Sequence, residues 1–319
     1  MLKRILQLLL LLLVLVIGVP FIGPWIGLSD YRANAPSPGQ QVDLSNGDHL
    51  NVYREGIGRP VVLIHGRPGT ASMLRPLALA LKQRGFAAIT YDRVGYGHSS
   101  RRSIDTPANP TENARELLQL IDALQLDDPY VIGYSYGGGV VLEAGRLNPQ
   151  AFSRLALISS IGDNSERVDL PQGPERLLFS APVMRWMMGT EFVSTRAYRP
   201  GIAAMFYPHD GDDAFLRQSI AGLSLPGVPD TFVREATERY QQFDGFQPEA
   251  ITACTLIIHG VEDMIVPAKG ATVLHEAIQD SELRLLEDTG HAVVIKQPNR
   301  LADLLAEHDD KCLQIKKRQ

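Results

Sequence analysis

The pentapeptide Gly133-Tyr134-Ser135-Tyr136-Gly137 has the form G-x-S-x-G, with a strand-like apolar run before it and a stretch rich in small residues after it. A strand-to-helix turn that sharp has no room for side chains at the glycine positions. It lifts the serine hydroxyl clear of a sheet and aims it at a helix N-terminus. Serine is a poor nucleophile at neutral pH and needs a base within hydrogen-bond reach. Of the eight histidines, His291 in Thr289-Gly290-His291 follows the last strand on a loop and is the best-placed base. Asp263, in His259-Gly260-Val261-Glu262-Asp263, would hold the imidazole tautomer and stabilise the imidazolium. Glu262 and Asp163 are its competitors.

A second segment, His65-Gly66-Arg67-Pro68-Gly69, follows a buried strand and reads as one half of an oxyanion hole. Its donors would be the backbone N–H groups of Arg67 and Tyr136, the latter being the residue after the nucleophile. Pro68 pins the turn but has no N–H to give. His65 reads as a buttress of that loop. The Arg67 side chain has two readings, a contact to a substrate carboxylate or a surface ion pair. Met184, Trp186 and Met187 belong to an apolar set running from Leu177 to Phe206. They are candidates for an acyl or alkyl pocket, packing onto the main domain being the alternative. Arg185, Arg196 and Arg199 read as solvated.

These residues require a particular scaffold. Val42 to Arg54 carries Asn46-Gly47 between alternating runs, a hairpin signal. The continuous apolar run Pro60 to Ile64 and the stretch Leu155 to Ser159 read as buried strands, and Ala87 to Tyr91, Tyr130 to Gly133, Thr255 to His259 and Leu283 to Leu286 read as further strands. Helical patterns intervene around Leu74 to Arg84, Glu112 to Leu124, Gly138 to Leu147, Ala268 to Ile278 and Asn299 to Glu307. Strands separated by helices predict an α/β fold, a mostly parallel sheet with helices on both faces. The stretch 162–248 breaks the rhythm and reads as an inserted helical cap. The α/β core is then 41–161 plus 249–308, with a charged tail at 309–319.

The first residues differ from the rest. Lys3 and Arg4 precede an apolar run from Ile5 to Leu28, interrupted by Gln7. About 24 residues in a helix reach roughly 36 Å, enough to cross a hydrocarbon core. Segment 1–28 therefore reads as a transmembrane signal anchor, followed by a linker at 29–40. A signal peptide cleaved near Ala33-Asn34-Ala35 is the alternative. The positive-inside rule would keep the N-terminus cytoplasmic and place the body of a single-pass membrane protein outside the cytoplasm.

Composition excludes other classes. Apolar residues are 45% and charged residues 21%, ordinary for a globular chain. With 31 basic and 36 acidic residues the net charge is −5, which speaks against a nucleic-acid binder relying on phosphate contacts. Cys254 and Cys312 form no metal-ligand spacing and read as two unpaired thiols, a single bridge being the alternative. Neither a metalloprotease His-Glu-x-x-His helix nor a dinucleotide fingerprint is present, so no cofactor is expected. Oligomeric state is not readable.

Taken together, the chain resembles the α/β-hydrolase superfamily over roughly residues 40–308. The matching signatures are His65-Gly66-x-Pro68-Gly69, Asp92-x-x-Gly95-x-Gly97-x-Ser99, the Ser135 turn, the Asp263 loop and Gly290-His291, in the order Ser, Asp, His. The first two resemble the epoxide-hydrolase, proline-iminopeptidase and lipid-esterase branch. Epoxide hydrolases and haloalkane dehalogenases use an Asp nucleophile, whereas Ser135 stands here. The resemblance implies a serine hydrolase acting by acyl transfer on carboxylic esters of fairly apolar small molecules or lipids. A proline-iminopeptidase-like aminopeptidase, a C–C bond hydrolase and a non-catalytic binding module are the alternatives. Asp92 and its glycines read as a structural brace.

Overall fold

The four residues Val61 to Ile64 are wholly excluded from solvent in the computed structural model, which describes residues 35–162, 191–238, 243 and 245–317. Their strand, β3 (Arg59–Ile64), lies inside one eight-stranded sheet with β1 (Gln40–Asp43), β2 (His49–Glu55), β4 (Phe86–Asp92), β5 (Tyr130–Tyr134), β6 (Arg154–Ile158), β7 (Cys254–Gly260) and β8 (Ser281–Leu286). The spatial order is β1-β2-β4-β3-β5-β6-β7-β8. The β1–β2 and β2–β4 pairs are antiparallel and the others parallel. Alternate side chains enter two separate cores. Val62 and Ile64 join the helices α2 (Pro110–Ala123), α3 (Tyr136–Leu147) and α7 (Lys269–Ala277) on one face. Val61 and Leu63 join α1 (Arg75–Lys82), α8 (Val293–Lys296) and α9 (Pro298–Lys316) on the other. Burial on both faces is why these strands read as unbroken apolar runs.

Local chemistry sets the element ends. Gly47, with φ +90°, makes the β1–β2 turn, where Leu44 N–H donates to Asp48 O at 2.8 Å. Helix α2 starts two residues earlier than its apolar pattern predicts, because Asn109 caps it by accepting from Glu112 N–H at 2.9 Å and Pro110 tolerates the first turn.

Among the described residues three α-helices stand between β6 and β7: α4 (Glu191–Phe206), α5 (Asp213–Leu223) and α6 (Val228–Glu238). Asp212 caps α5 by accepting from Ala214 and Phe215 N–H. Phe206 at the end of α4 is buried against Phe215 of α5, with ring centroids 5.5 Å apart. The three helices are tied to the sheet side of the molecule by polar contacts. Ala292 N–H donates to Met205 O at 2.8 Å, and Arg234 donates to Ser103 O and Thr106 O at 2.9 and 2.7 Å.

Three expectations are corrected. Among the described residues no helix is long and apolar enough to cross a membrane, and the expected span within 1–28 lies outside them. The fold class of the described residues is therefore an α/β sheet with helices on both faces, and the expected N-terminal transmembrane helix is not among their elements. The expected placement as a single-pass membrane protein with an extracytoplasmic body finds no spanning helix among the described residues to rest on. Hydropathy alone carried that reading, and Gly18, Pro20, Gly23 and Pro24 are poor helix formers within the same run. Second, α9 continues to Lys316, so most of the expected charged tail is helical. Asp309 explains this: it is fully buried and accepts from Arg154 at 2.8 Å while pairing with Arg59 at 2.7 Å. Third, Cys254 and Cys312 form a disulfide between the start of β7 and α9, with Cα atoms 6.1 Å apart.

Candidate active site

Ser135 sits at the carboxyl end of β5 with φ 54° and ψ −122°, a conformation that L-residues rarely hold. The surroundings over-determine it. A Cβ on Gly133 would lie 2.4 Å from Gly137 O and from Gly138 Cα, and one on Gly137 would lie 2.3 Å from Ile64 O. Both glycines of G-x-S-x-G are thus required by backbone contact. Ser135 N–H donates to Ile158 O at 2.9 Å, fixing the turn to the neighbouring strand.

His291 and Asp263 come from the loops that follow β8 and β7, at the same carboxyl edge of the sheet as Ser135. His291 Nε2 lies 3.1 Å from Ser135 Oγ, and its Nδ1 lies 2.7 Å from Asp263 Oδ2. All three residues are buried. The other oxygen of Asp263 accepts from Ile265 and Val266 N–H, each at 2.8 Å. His259, fully buried at the end of β7, brings its Nε2 to 3.3 Å from Asp263 Oδ2 while donating to Val266 O at 2.9 Å. Burial alone would raise the Asp263 pKa. Hydrogen bonds from His259 and His291, the His291 charge and the Val266 N–H outweigh it and hold the carboxyl well below the usual carboxylate range. A permanent carboxylate on Nδ1 leaves Nε2 as the lone pair facing the hydroxyl. Glu262, the competitor, instead accepts from Thr289 N–H at 2.9 Å and ties two loops together. Asp163 lies outside the described residues.

The His65–Gly69 loop lies against the Ser135 turn, since β3 and β5 pair with Ile64 opposite Gly133. A Cβ on Gly66 would come within 2.9 Å of Ser135 Cβ, so only glycine permits the approach. His65 is fully buried and neutral. Burial first, and then the Arg93 charge, push its pKa well below the histidine range. Its Nδ1–H donates to Gly66 O at 2.8 Å and its Nε2 accepts from Arg93 N–H at 3.0 Å. Arg93 Nη2 also donates to Gly66 O at 3.3 Å. With the carbonyl of this trans peptide held toward the interior, the Arg67 N–H on the same plane points the opposite way. Asp92 braces the next loop by accepting from Ala71 N–H, His98 N–H and Asn51 Nδ2.

A cavity of about 280 Å³ opens on Ser135 and His291. Met73, Ile202, Met205 and Phe215 contribute to its apolar wall, and Arg67 and Tyr198 also line it. Met184, Trp186 and Met187, the pocket residues expected from sequence, lie outside the described residues, as does Arg185. Phe206 packs beside the cavity without lining it, and Arg199 is exposed and pairs with Asp213 at 3.0 Å. Tyr198, Ile202 and Met205 were not singled out by sequence reasoning, although their spacing of four and three is one face of a helix. Arg93 and Glu235 were also missed. Their buried ion pair joins the loop after β4 to α6, and no sequence signal connects residues 142 apart.

The sequence model of the Alpha/beta hydrolase family matches residues 61–304. The chain is 27% identical to a 2-hydroxymuconate semialdehyde hydrolase of Pseudomonas sp. (strain CF600), over 86% of this chain and 96% of the other. It is 27% identical to a 2-hydroxy-6-oxo-2,4-heptadienoate hydrolase of Pseudomonas putida, over 80% of this chain and 90% of the other. An esterase from Exiguobacterium antarcticum superposes with a TM-score of 0.65 at 25% identity, covering 85% of this chain and 98% of that one.

Proposed function

The chain belongs to the alpha/beta hydrolase family, and on that premise we propose that it is a serine hydrolase working by acyl transfer on carboxylic esters. The observation that carries this reading is the continuous chain Ser135 Oγ, His291 Nε2, His291 Nδ1, Asp263 Oδ2, with links of 3.1 and 2.7 Å. In the first half-reaction Ser135 Oγ adds to the ester carbonyl and its proton passes to His291 Nε2. The oxyanion is held by the N–H groups of Arg67 and Tyr136. His291 then gives the proton to the departing alkoxide, leaving an acyl-serine and a free alcohol. Water, deprotonated by the same nitrogen, hydrolyses the acyl-serine to the acid and restores Ser135. One ester and one water are consumed, one acid and one alcohol are released, and Ser135 and His291 return to their starting protonation. A mostly apolar cavity suits a fairly apolar acyl or alkyl group.

A second reading is C–C bond hydrolysis. It is favoured by the two Pseudomonas relatives, which are hydrolases named for 2-hydroxymuconate semialdehyde and 2-hydroxy-6-oxo-2,4-heptadienoate and not for esters. A fluorophosphonate probe tests what the readings share, because only an activated serine reacts. Labelling that persists in Ser135→Ala overturns both. A panel of alkyl esters against an enolisable 1,5-dicarbonyl substrate separates them: ester turnover is expected, and cleavage of the dicarbonyl alone would replace the first reading with the second.

A further inference from the structure

We propose that the Arg67 side chain is an anion-recognition group, and that the substrate carries a carboxylate on an otherwise apolar skeleton, close to the bond that is cleaved. The proposal deepens the serine-hydrolase reading and rests on it for the position of the scissile bond.

Arg67 lines the cavity that opens on Ser135 and His291. Its Nη1 is buried and has no hydrogen-bond partner. Among the described residues it forms no ion pair, although it sits in a cluster of buried charges. Each acidic group nearby is already engaged. Glu235 receives both terminal nitrogens of Arg93 and the Tyr96 hydroxyl, the latter at 2.6 Å. Burial alone would raise Glu235, but the charge and hydrogen bonds of Arg93, followed by the charge of Arg67, hold it below the usual carboxylate range. Glu116 is bound by Arg102 at 2.7 Å. Asp92 is surrounded by N–H donors, and Asp263 serves His291. Three guanidinium groups, those of Arg67, Arg93 and Arg102, thus face two carboxylates. The surplus charge is Arg67.

Beyond the charge of Glu235, Arg67 meets the Tyr136 ring, with its Cζ 5.8 Å from the centroid. A cation–π contact at that distance is weak and leaves the N–H donors unused. An unpartnered buried donor is costly unless something fills it. A carboxylate suits a guanidinium because its two oxygens match the planar fork. The apolar wall of Met73, Ile202, Met205 and Phe215 excludes a strongly polar molecule, so the charge must sit at one end of an apolar body. The Arg67 backbone N–H belongs to the proposed oxyanion hole. Its guanidinium therefore reaches no farther from the reacting carbonyl than one arginine side chain.

The test compares monomethyl esters of short dicarboxylic acids, such as adipate, with methyl esters of monocarboxylic acids of equal length. Wild type is expected to favour the anionic member in kcat/KM by roughly 10- to 100-fold, the range of a charge-assisted hydrogen bond. In Arg67→Gln that ratio should collapse to about one or below, chiefly through KM, and Arg67→Lys should restore part of it. A ratio that is unchanged in Arg67→Gln, or a wild type without preference, overturns the proposal. A binding measurement independent of turnover accompanies it. Hexanoate should raise the Tm of wild type more than hexanamide does, and the gap should vanish in Arg67→Gln; equal responses in wild type overturn the proposal. Fluorophosphonate labelling of Ser135 and turnover of the neutral esters report the serine-hydrolase reading separately, so failure of either idea is recognisable by itself.

Discussion

Two buried charge clusters flank Ser135, and they are built on opposite plans. On one side Asp263 is saturated: His291, His259 and two backbone N–H groups surround one carboxylate. On the other side Arg93 and Tyr96 consume Glu235, and Arg67 remains over. The first cluster has nothing left to bind and can only hold a side chain in place. The second is complete apart from one donor group that faces a cavity. Saturation marks machinery that must not move during a reaction, and a leftover charge marks the place where a molecule is recognised. The two clusters also differ in origin. The first is assembled on loops after β7 and β8, elements of the sheet, whereas the second needs α6 of the helical insertion.

Removing the group between the clusters gives the largest effect. Ser135→Ala should cut kcat by at least about 10⁴-fold with little change in Tm, since the hydroxyl acts in the transition state. Ester turnover and a thermal melt measure the two halves of that statement. Breaking the saturated cluster comes next. Asp263→Asn should cost roughly 10³- to 10⁴-fold in kcat by favouring the wrong imidazole tautomer, and kinetics near wild type would remove Asp263 from the mechanism. The second cluster should respond in stability. Glu235→Gln leaves Arg93 and Arg67 as buried charges without an anion, and denaturant unfolding should show a loss of about 3–5 kcal/mol. A double variant, Arg93→Met with Glu235→Met, should recover much of that loss, and failure to recover would mean that packing and not charge is at stake.

The smallest effect lies in acid and outside both clusters. Burial holds His308 at about 4, the charges of Lys311 and Arg154 adding to the effect and Glu282 opposing it. The unfolded chain takes up that proton at about 6.5 and the folded one refuses it. Stability from this group is therefore full above about 6.5 and falls as the pH drops from there toward 4, by at most about 1.4 kcal/mol per pH unit. His65 contributes with the same sign. Tm measured from pH 7 to pH 4.5 should fall less steeply in His308→Gln than in wild type.

Legibility in the sequence followed the range of the interaction. Strands buried on both faces announce themselves as apolar runs, and β3, β5 and β7 were recognisable from a handful of consecutive residues. The Ser135 turn was legible because its glycines answer to backbone contacts within a few positions. The Asp263–His291 contact was inferable from loop position after each strand, though not its distance. What escaped were partnerships across the chain: Arg93 with Glu235, Cys254 with Cys312, and His259 beside Asp263, where a histidine on an apolar strand gives no hint of what it faces. The membrane reading rested on hydropathy alone, which averages over residue types, and the described residues contain no helix that carries it.

The bridge between β7 and α9 has a consequence in the language of polymer rings. It closes a loop with its ends 58 positions apart, and Asp263 and His291 both lie inside that loop while Ser135 lies on the open chain. Closing a ring of this size removes conformations from the unfolded chain worth about 4 kcal/mol in the chain-entropy picture. The acid and the base thus remain tethered to each other even when the sheet is lost, and what refolding must find again is the nucleophile.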